Sequence, residues 1–130
     1  MNRLLLISIL LTAPALALAA CGTSQTGSAP QAIEAYITAL VAKDRDGAVS
    51  ASCAEWEESA TLESDSFAAV APALDGLDCA EAGQENETIL VTCQGVINVT
   101  YNGEQQALSL EGRTYVAVQE GGDWRMCGYQ

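Results

Sequence analysis

The chain has 130 residues, the size of one compact domain. It carries 17 acidic and 5 basic side chains, a net charge of −12, and such a surface repels nucleic acid and anionic headgroups. It has no histidine, which excludes Ser/His/Asp and Cys/His nucleophilic sets.

Residues 1–20 have the layout of an export signal. Asn2 and Arg3 form a short basic start, Leu4 to Leu11 is an apolar run, and Pro14 precedes alternating small residues and leucines up to Ala20. The run is too short to span a bilayer comfortably. Leu18-Ala19-Ala20-Cys21 follows directly and resembles the lipobox of bacterial lipoproteins. That resemblance implies a diacylglycerol on the Cys21 thiol and cleavage before it. It also implies an exported protein anchored by lipid to the bacterial cell membrane, at its outer face or in the envelope. Two or three acyl chains hold a protein stably where one holds it marginally. Residues 21–29, Cys-Gly-Thr-Ser-Gln-Thr-Gly-Ser-Ala, are small and uncharged and read as the lipidated cysteine and a flexible tether. The domain proper is expected over residues 30–130.

Pro30 suits the first turn of a helix, with Ser28 as its cap. Ile33, Tyr36, Ile37, Leu40 and Val41 then recur at helical spacing, which predicts an amphipathic helix ending near Lys43. A second helix is expected from Asp44 or Asp46 past Trp56, with Glu55, Glu57, Glu58 and Glu63 facing water. A third, short helix is capped by Ser64 or Asp65 and runs through Val70; Pro72 ends it and Asp75-Gly76 makes a turn.

The pattern becomes β-rich after Leu77. Residues 88–101 read as one strand with Gly95 at a bulge. Asn102-Gly103 is the strongest hairpin signal. Residues 104–120 return along that strand with a bend at Gly112. Gly121-Gly122 turns into a last strand over residues 123–130. No helix follows these glycines, so they are no phosphate loop, and no cofactor motif is present. The expected fold class is α+β, with N-terminal helices packed on a curved antiparallel sheet.

With Cys21 acylated, Cys53, Cys79, Cys93 and Cys127 remain. In a small exported domain, four cysteines point to two disulfides with three possible pairings. Their spacings of 26, 14 and 34 residues contain no C-x-x-C, which argues against zinc or another metal. A hairpin turning near Asn86 sets Cys79 opposite Cys93 and leaves Cys53 for Cys127.

The residues 35–44 (Ala-Tyr-Ile-Thr-Ala-Leu-Val-Ala-Lys-Asp), the pair Cys53 and Trp56, and the ending Gly-Gly-Asp-Trp-Arg-Met-Cys-Gly-Tyr at 121–129 resemble the NTF2-like (cystatin-like) superfamily, and within it small bacterial envelope lipoproteins. The resemblance implies a cone-shaped roll that can hold a pocket. Tyr36, Trp56, Trp124 and Arg125 are its candidate lining. Each tyrosine is expected to be half-buried, its hydroxyl at the surface. Trp56 is expected to pack beneath Trp124. Arg113 and Arg125 are each expected to pair with an acid. No catalytic set is recognisable, so the expectation is a non-catalytic binding module for a small molecule or a protein. The alternative is a lyase or isomerase using a carboxylate or a tyrosine inside the cone.

Overall fold

The computed structural model describes residues 27–130. Residues 1–20, Cys21 and most of the expected tether lie outside the described residues. The helices come first: α1 (Ala29–Val41), α2 (Arg45–Ser50), a 3-10 turn (Ala54–Trp56) and α3 (Glu57–Phe67). Five strands follow: β1 (Ala71–Glu85), β2 (Thr88–Tyr101), β3 (Glu104–Ser109), β4 (Thr114–Glu120) and β5 (Asp123–Tyr129). The fold is α+β, with the helices laid on a curled antiparallel sheet.

Helix α1 opens with a capping box. The Ser28 hydroxyl accepts from the Gln31 N–H, and the Gln31 side chain accepts from the Ser28 N–H, satisfying two orphan donors of the first turn. The tether therefore stops short of Ala29, which is buried as the first helical residue. Ile33, Tyr36, Ile37 and Leu40 are all buried, so the apolar stripe faces the sheet. The helix ends as Lys43 turns into the left-handed region at φ 57°.

The second helix is much shorter than the periodicity predicts. It is capped by Asp44, whose side chain accepts from the Gly47 N–H at 2.9 Å, and it stops at Ser50. The cause is tertiary. The Met126 N–H donates to the Ala51 carbonyl at 2.9 Å and the Cys53 N–H to the Met126 carbonyl at 2.8 Å, a parallel bridge between Ser52 and Met126. The Cys53–Cys127 disulfide fastens the same place. Residues 51–53 thus run extended beside β5 and cover part of its outer edge, which a helix there could not do.

Helix α3 also departs from expectation. It starts at Glu57 rather than at a Ser64 or Asp65 cap, and Ser64 lies inside it. Glu57 and Glu58 in its first turn complement the positive end of the helix dipole.

The sheet begins six residues earlier than the sequence pattern implies. Ala71 already pairs with Thr100. Pro72 sits in β1, at the edge of the sheet order β1-β2-β4-β5, where a missing N–H is tolerated. Asp75-Gly76 is a bulge within β1, between the pairs Asp75↔Val96 and Asp78↔Gln94, and makes no turn. Gly95 lies opposite this bulge at φ +117°; a Cβ there would stand 2.8 Å from the Asp75 carbonyl oxygen. The Asn102-Gly103 hairpin joins Tyr101 to its partner Glu104 with φ 50° and 80°, both positive as a type I′ turn requires. β3 and β4 share one side of β2: β3 pairs with its C-terminal half and β4 with its N-terminal half. They act as one strand bent at residues 110–113.

The core fills the concave side of the sheet. Ile89, Val91, Ile97, Val99, Tyr115, Ala117 and Met126 meet the stripe of α1 there. Cys79 is bonded to Cys93 at Cα positions 4.1 Å apart. The Cys79 N–H turns away from β2 and donates to Glu34 Oε1 at 3.0 Å. That marks Cys79 and Cys93 as a non-hydrogen-bonded pair, the closer class of opposed residues.

Candidate binding cleft

Tyr36 is the one polar side chain in the stripe of α1, and it is fully buried. A buried phenol needs a partner. Its hydroxyl donates to Glu63 Oε2 on α3 at 3.0 Å and accepts from Trp56 Nε1 at 3.4 Å. Tyr129, near the end of β5, donates to the same Glu63 oxygen at 2.8 Å. Three elements distant in sequence thus meet at one carboxylate. Glu63 does not face water as a free helix-surface acid, and the hydroxyls of Tyr36 and Tyr129 point inward to it rather than out to the surface. Of the four tyrosines only Tyr101 is largely exposed.

Aromatic rings surround this point. Trp56 meets Tyr129 edge to face with centroids 5.5 Å apart, and Tyr115 lies 5.2 Å from Tyr129 on another side. Burial raises the pKa of Tyr36, and the neighbouring Glu63 charge adds to the rise. Burial also raises Tyr129, again reinforced by Glu63. Tyr115 is raised by burial, with Arg113 opposing the shift. All three phenols therefore stay protonated at ordinary pH, and Tyr36 and Tyr129 act as donors, not as bases.

The Glu63–Tyr129 pair forms one side of a cleft of about 630 Å³ between α3 and the inner face of the β2–β3 ribbon. Its apolar wall is Phe67, Val70, Val99 and Leu108. These fall together for a reason of register. Val99 faces inward on β2, and Leu108 opposes the inward-facing Ile97, while Phe67 and Val70 close the C-terminal end of α3. Arg113, in the bend between β3 and β4, holds its guanidinium 5.0 Å from the centre of the Tyr129 ring. The neighbouring Ser66 hydroxyl is already spent on the Glu63 carbonyl at 2.6 Å.

The four lining residues expected from sequence do not form one site. Tyr36 and Trp56 belong to the phenol–carboxylate group. Trp124 and Arg125 border a separate cleft of about 260 Å³ between the start of α1, the end of α2 and β5. Trp56 packs against Gly128 and Tyr129; it does not sit beneath Trp124. Arg125 is held by Asp123 at 3.4 Å and by the Ser50 carbonyl. Arg113, by contrast, makes no ion pair among the described residues; an aromatic face takes the place of the expected acid.

Sequence reasoning missed Glu63, Phe67, Val70, Val99 and Leu108. A usable signal was present in Tyr36. A phenol in an otherwise aliphatic buried stripe calls for an acceptor, and the acids on α3 are the available ones. Among the described residues no group of three His, Cys, Asp or Glu side chains is placed to hold a metal ion. Comparison of the chain with protein-family models, with curated proteins and with solved structures finds no match.

Proposed function

We propose that this chain is an exported bacterial lipoprotein, acylated at Cys21, whose NTF2-like roll is a non-catalytic module that binds a small molecule in the cleft at the mouth of the cone. The lipobox-like Leu18-Ala19-Ala20-Cys21 supports the anchor. The pairing of the other four cysteines fits an oxidising compartment. The observation that carries the binding role is the cleft itself: a concave, mostly apolar surface with a few convergent polar groups.

The non-catalytic reading rests on where the hydroxyls point. Tyr36 and Tyr129 spend their protons on Glu63, so neither presents a free donor to a substrate. The second reading is a lyase or isomerase with Glu63 as base. It draws on the position of that carboxylate at the cleft wall, but Oε2 already holds the hydroxyls of Tyr36 and Tyr129 and no catalytic partner stands beside it among the described residues.

The test uses the full chain isolated from membranes and placed in lipid nanodiscs. Mass spectrometry is expected to find acylation at Cys21, lost in Cys21→Ser. With n-octanol as a neutral probe, methyl resonances of Val70, Val99 and Leu108 are expected to shift saturably, and Val70→Trp is expected to block the response. Saturable shifts at other methyls with these three unmoved would place binding elsewhere and defeat the reading.

A further inference from the structure

The described chain is strongly acidic and holds four basic residues, Lys43, Arg45, Arg113 and Arg125. Arg45 pairs with Asp65 at 3.5 Å and Arg125 with Asp123 at 3.4 Å. Lys43 lies exposed in the turn after α1. Arg113 alone is at the cleft of about 630 Å³, and it alone of the arginines has no carboxylate partner among the described residues. In a chain so rich in acids, an arginine without one is conspicuous.

Its surroundings hold it in place without neutralising it. The guanidinium lies 5.0 Å from the Tyr129 ring centre, a cation–π contact that orients the group but leaves its charge. The Tyr115 hydroxyl is beside it and is neutral. Glu63, the one acid at this cleft, has its Oε2 occupied by Tyr36 and Tyr129. Arg113 is itself solvent-exposed, so the donors of its fork that do not face the Tyr115 hydroxyl are open to a ligand. A guanidinium of this kind matches a carboxylate in bidentate geometry. Beside it run Phe67, Val70, Val99 and Leu108, and Leu108 is 45% exposed, an apolar surface awaiting cover.

We propose that the cleft takes a small amphipathic monoanion, a carboxylate with an aliphatic or aromatic tail, its head on Arg113 and its tail along Phe67, Val70, Val99 and Leu108. This rests on the binding role proposed above and adds the ligand's charge and polarity to it. The overall negative charge of the chain opposes an anion at long range, but at physiological salt that field is screened beyond about 8 Å; at close range the Glu63 carboxylate opposes the head and Arg113 is the group that attracts it.

The experiment compares three probes with the same tail on the full chain in nanodiscs: octanoate, n-octanol and n-octylamine, followed through the Val70, Val99 and Leu108 methyls. Octanoate is expected to bind about tenfold more tightly than octanol, the scale of one charge-assisted hydrogen-bonded contact. Octylamine is expected to be weakest. Arg113→Gln is expected to bring octanoate down to the level of octanol, erasing the difference between them, and Arg113→Lys to keep part of it. Equal binding of octanoate and octanol, or a preference for octylamine, overturns the anion proposal and leaves the apolar cleft standing. Absence of binding by all three overturns both.

Discussion

The hydroxyls of Tyr36 and Tyr129, one on the first helix and one on the last strand, converge on a single oxygen, Oε2 of Glu63, at 3.0 and 2.8 Å. This one carboxylate therefore ties α1, α3 and β5 together. Replacing it strands two partly or wholly buried donors, each costing about 1–3 kcal/mol when unsatisfied. Glu63→Ala is expected to lower unfolding free energy by about 3 kcal/mol, and Glu63→Gln, which keeps an acceptor, by much less. Tyr36→Phe and Tyr129→Phe should each cost about 1 kcal/mol. Because they share one acceptor, the double variant should depart from additivity. Urea unfolding of the five variants beside the parent protein measures all of this, and strict additivity would mean the two phenols do not share Glu63.

The same group makes stability depend on alkaline pH. The folded-state pKa values of Tyr36 and Tyr129 are raised above the ordinary value near 10, chiefly by burial. An unfolded chain loses these protons at lower pH than the folded one. The contribution is thus fully present below pH 10 and is lost as pH rises above it through the folded values. Unfolding midpoints measured from pH 8 to 11 should fall at the alkaline end, and less steeply in Tyr36→Phe/Tyr129→Phe. An equal slope in both proteins would show that other groups control the alkaline limb.

Both the fold and its gaps trace to the range of the interactions involved. The stripe Ile33–Tyr36–Ile37–Leu40 and the Asn102-Gly103 hairpin were legible because each is a local pattern: a helical period, or a turn that needs two positive φ values. The helix break at Ser52 was not, since it is caused by Met126 far away in sequence. The early start of β1 was hidden by Pro72 and Asp75-Gly76, residues that normally end regular structure. Here an edge position and a bulge absorb them. The cleft was hidden for a similar reason. Glu63 looks like its exposed neighbours Glu55, Glu57 and Glu58 until β5 brings Tyr129 beside it.

The two disulfides close loops of different size. Cys53 and Cys127 are 74 residues apart and Cys79 and Cys93 are 14 apart. Loop-closure entropy alone gives about 4.5 kcal/mol for the first and about 3 kcal/mol for the second. Cys53→Ala/Cys127→Ala should therefore lower stability more than Cys79→Ala/Cys93→Ala. It also frees residues 51–53 from β5, so hydrogen exchange at the Cys53-position and Met126 amides should accelerate. The reverse order of stability would mean that native contacts around the cross-strand bond, and not chain entropy, dominate.

Gly95 carries a steric demand that is independent of the cleft. A Cβ there would approach the Asp75 carbonyl oxygen to 2.8 Å and the Gly76 carbonyl to 2.9 Å, at φ +117°. These are backbone atoms of the bulge and cannot swing aside. Gly95→Ala is expected to cost about 2–4 kcal/mol. Gly103→Ala, with positive φ but open space around the added carbon, should cost about 1 kcal/mol. Similar losses at the two sites would show that the bulge can shift to admit a methyl group.

Ser64 offers a prediction of opposite sign. It is 7% exposed on the inner side of α3, and its hydroxyl oxygen is buried with no hydrogen-bond partner. An unsatisfied buried polar group costs free energy, and alanine is the better helix former by about 0.5 kcal/mol. Ser64→Ala removes the hydroxyl at almost constant shape and should stabilise the protein by about 1 kcal/mol. Ser66→Ala in the same helix is the control: it removes a hydroxyl that donates to the Glu63 carbonyl and should bring little or no gain. Denaturant midpoints of the two variants decide the matter. A loss of stability in Ser64→Ala would mean that a bound water satisfies the Ser64 hydroxyl beneath α3.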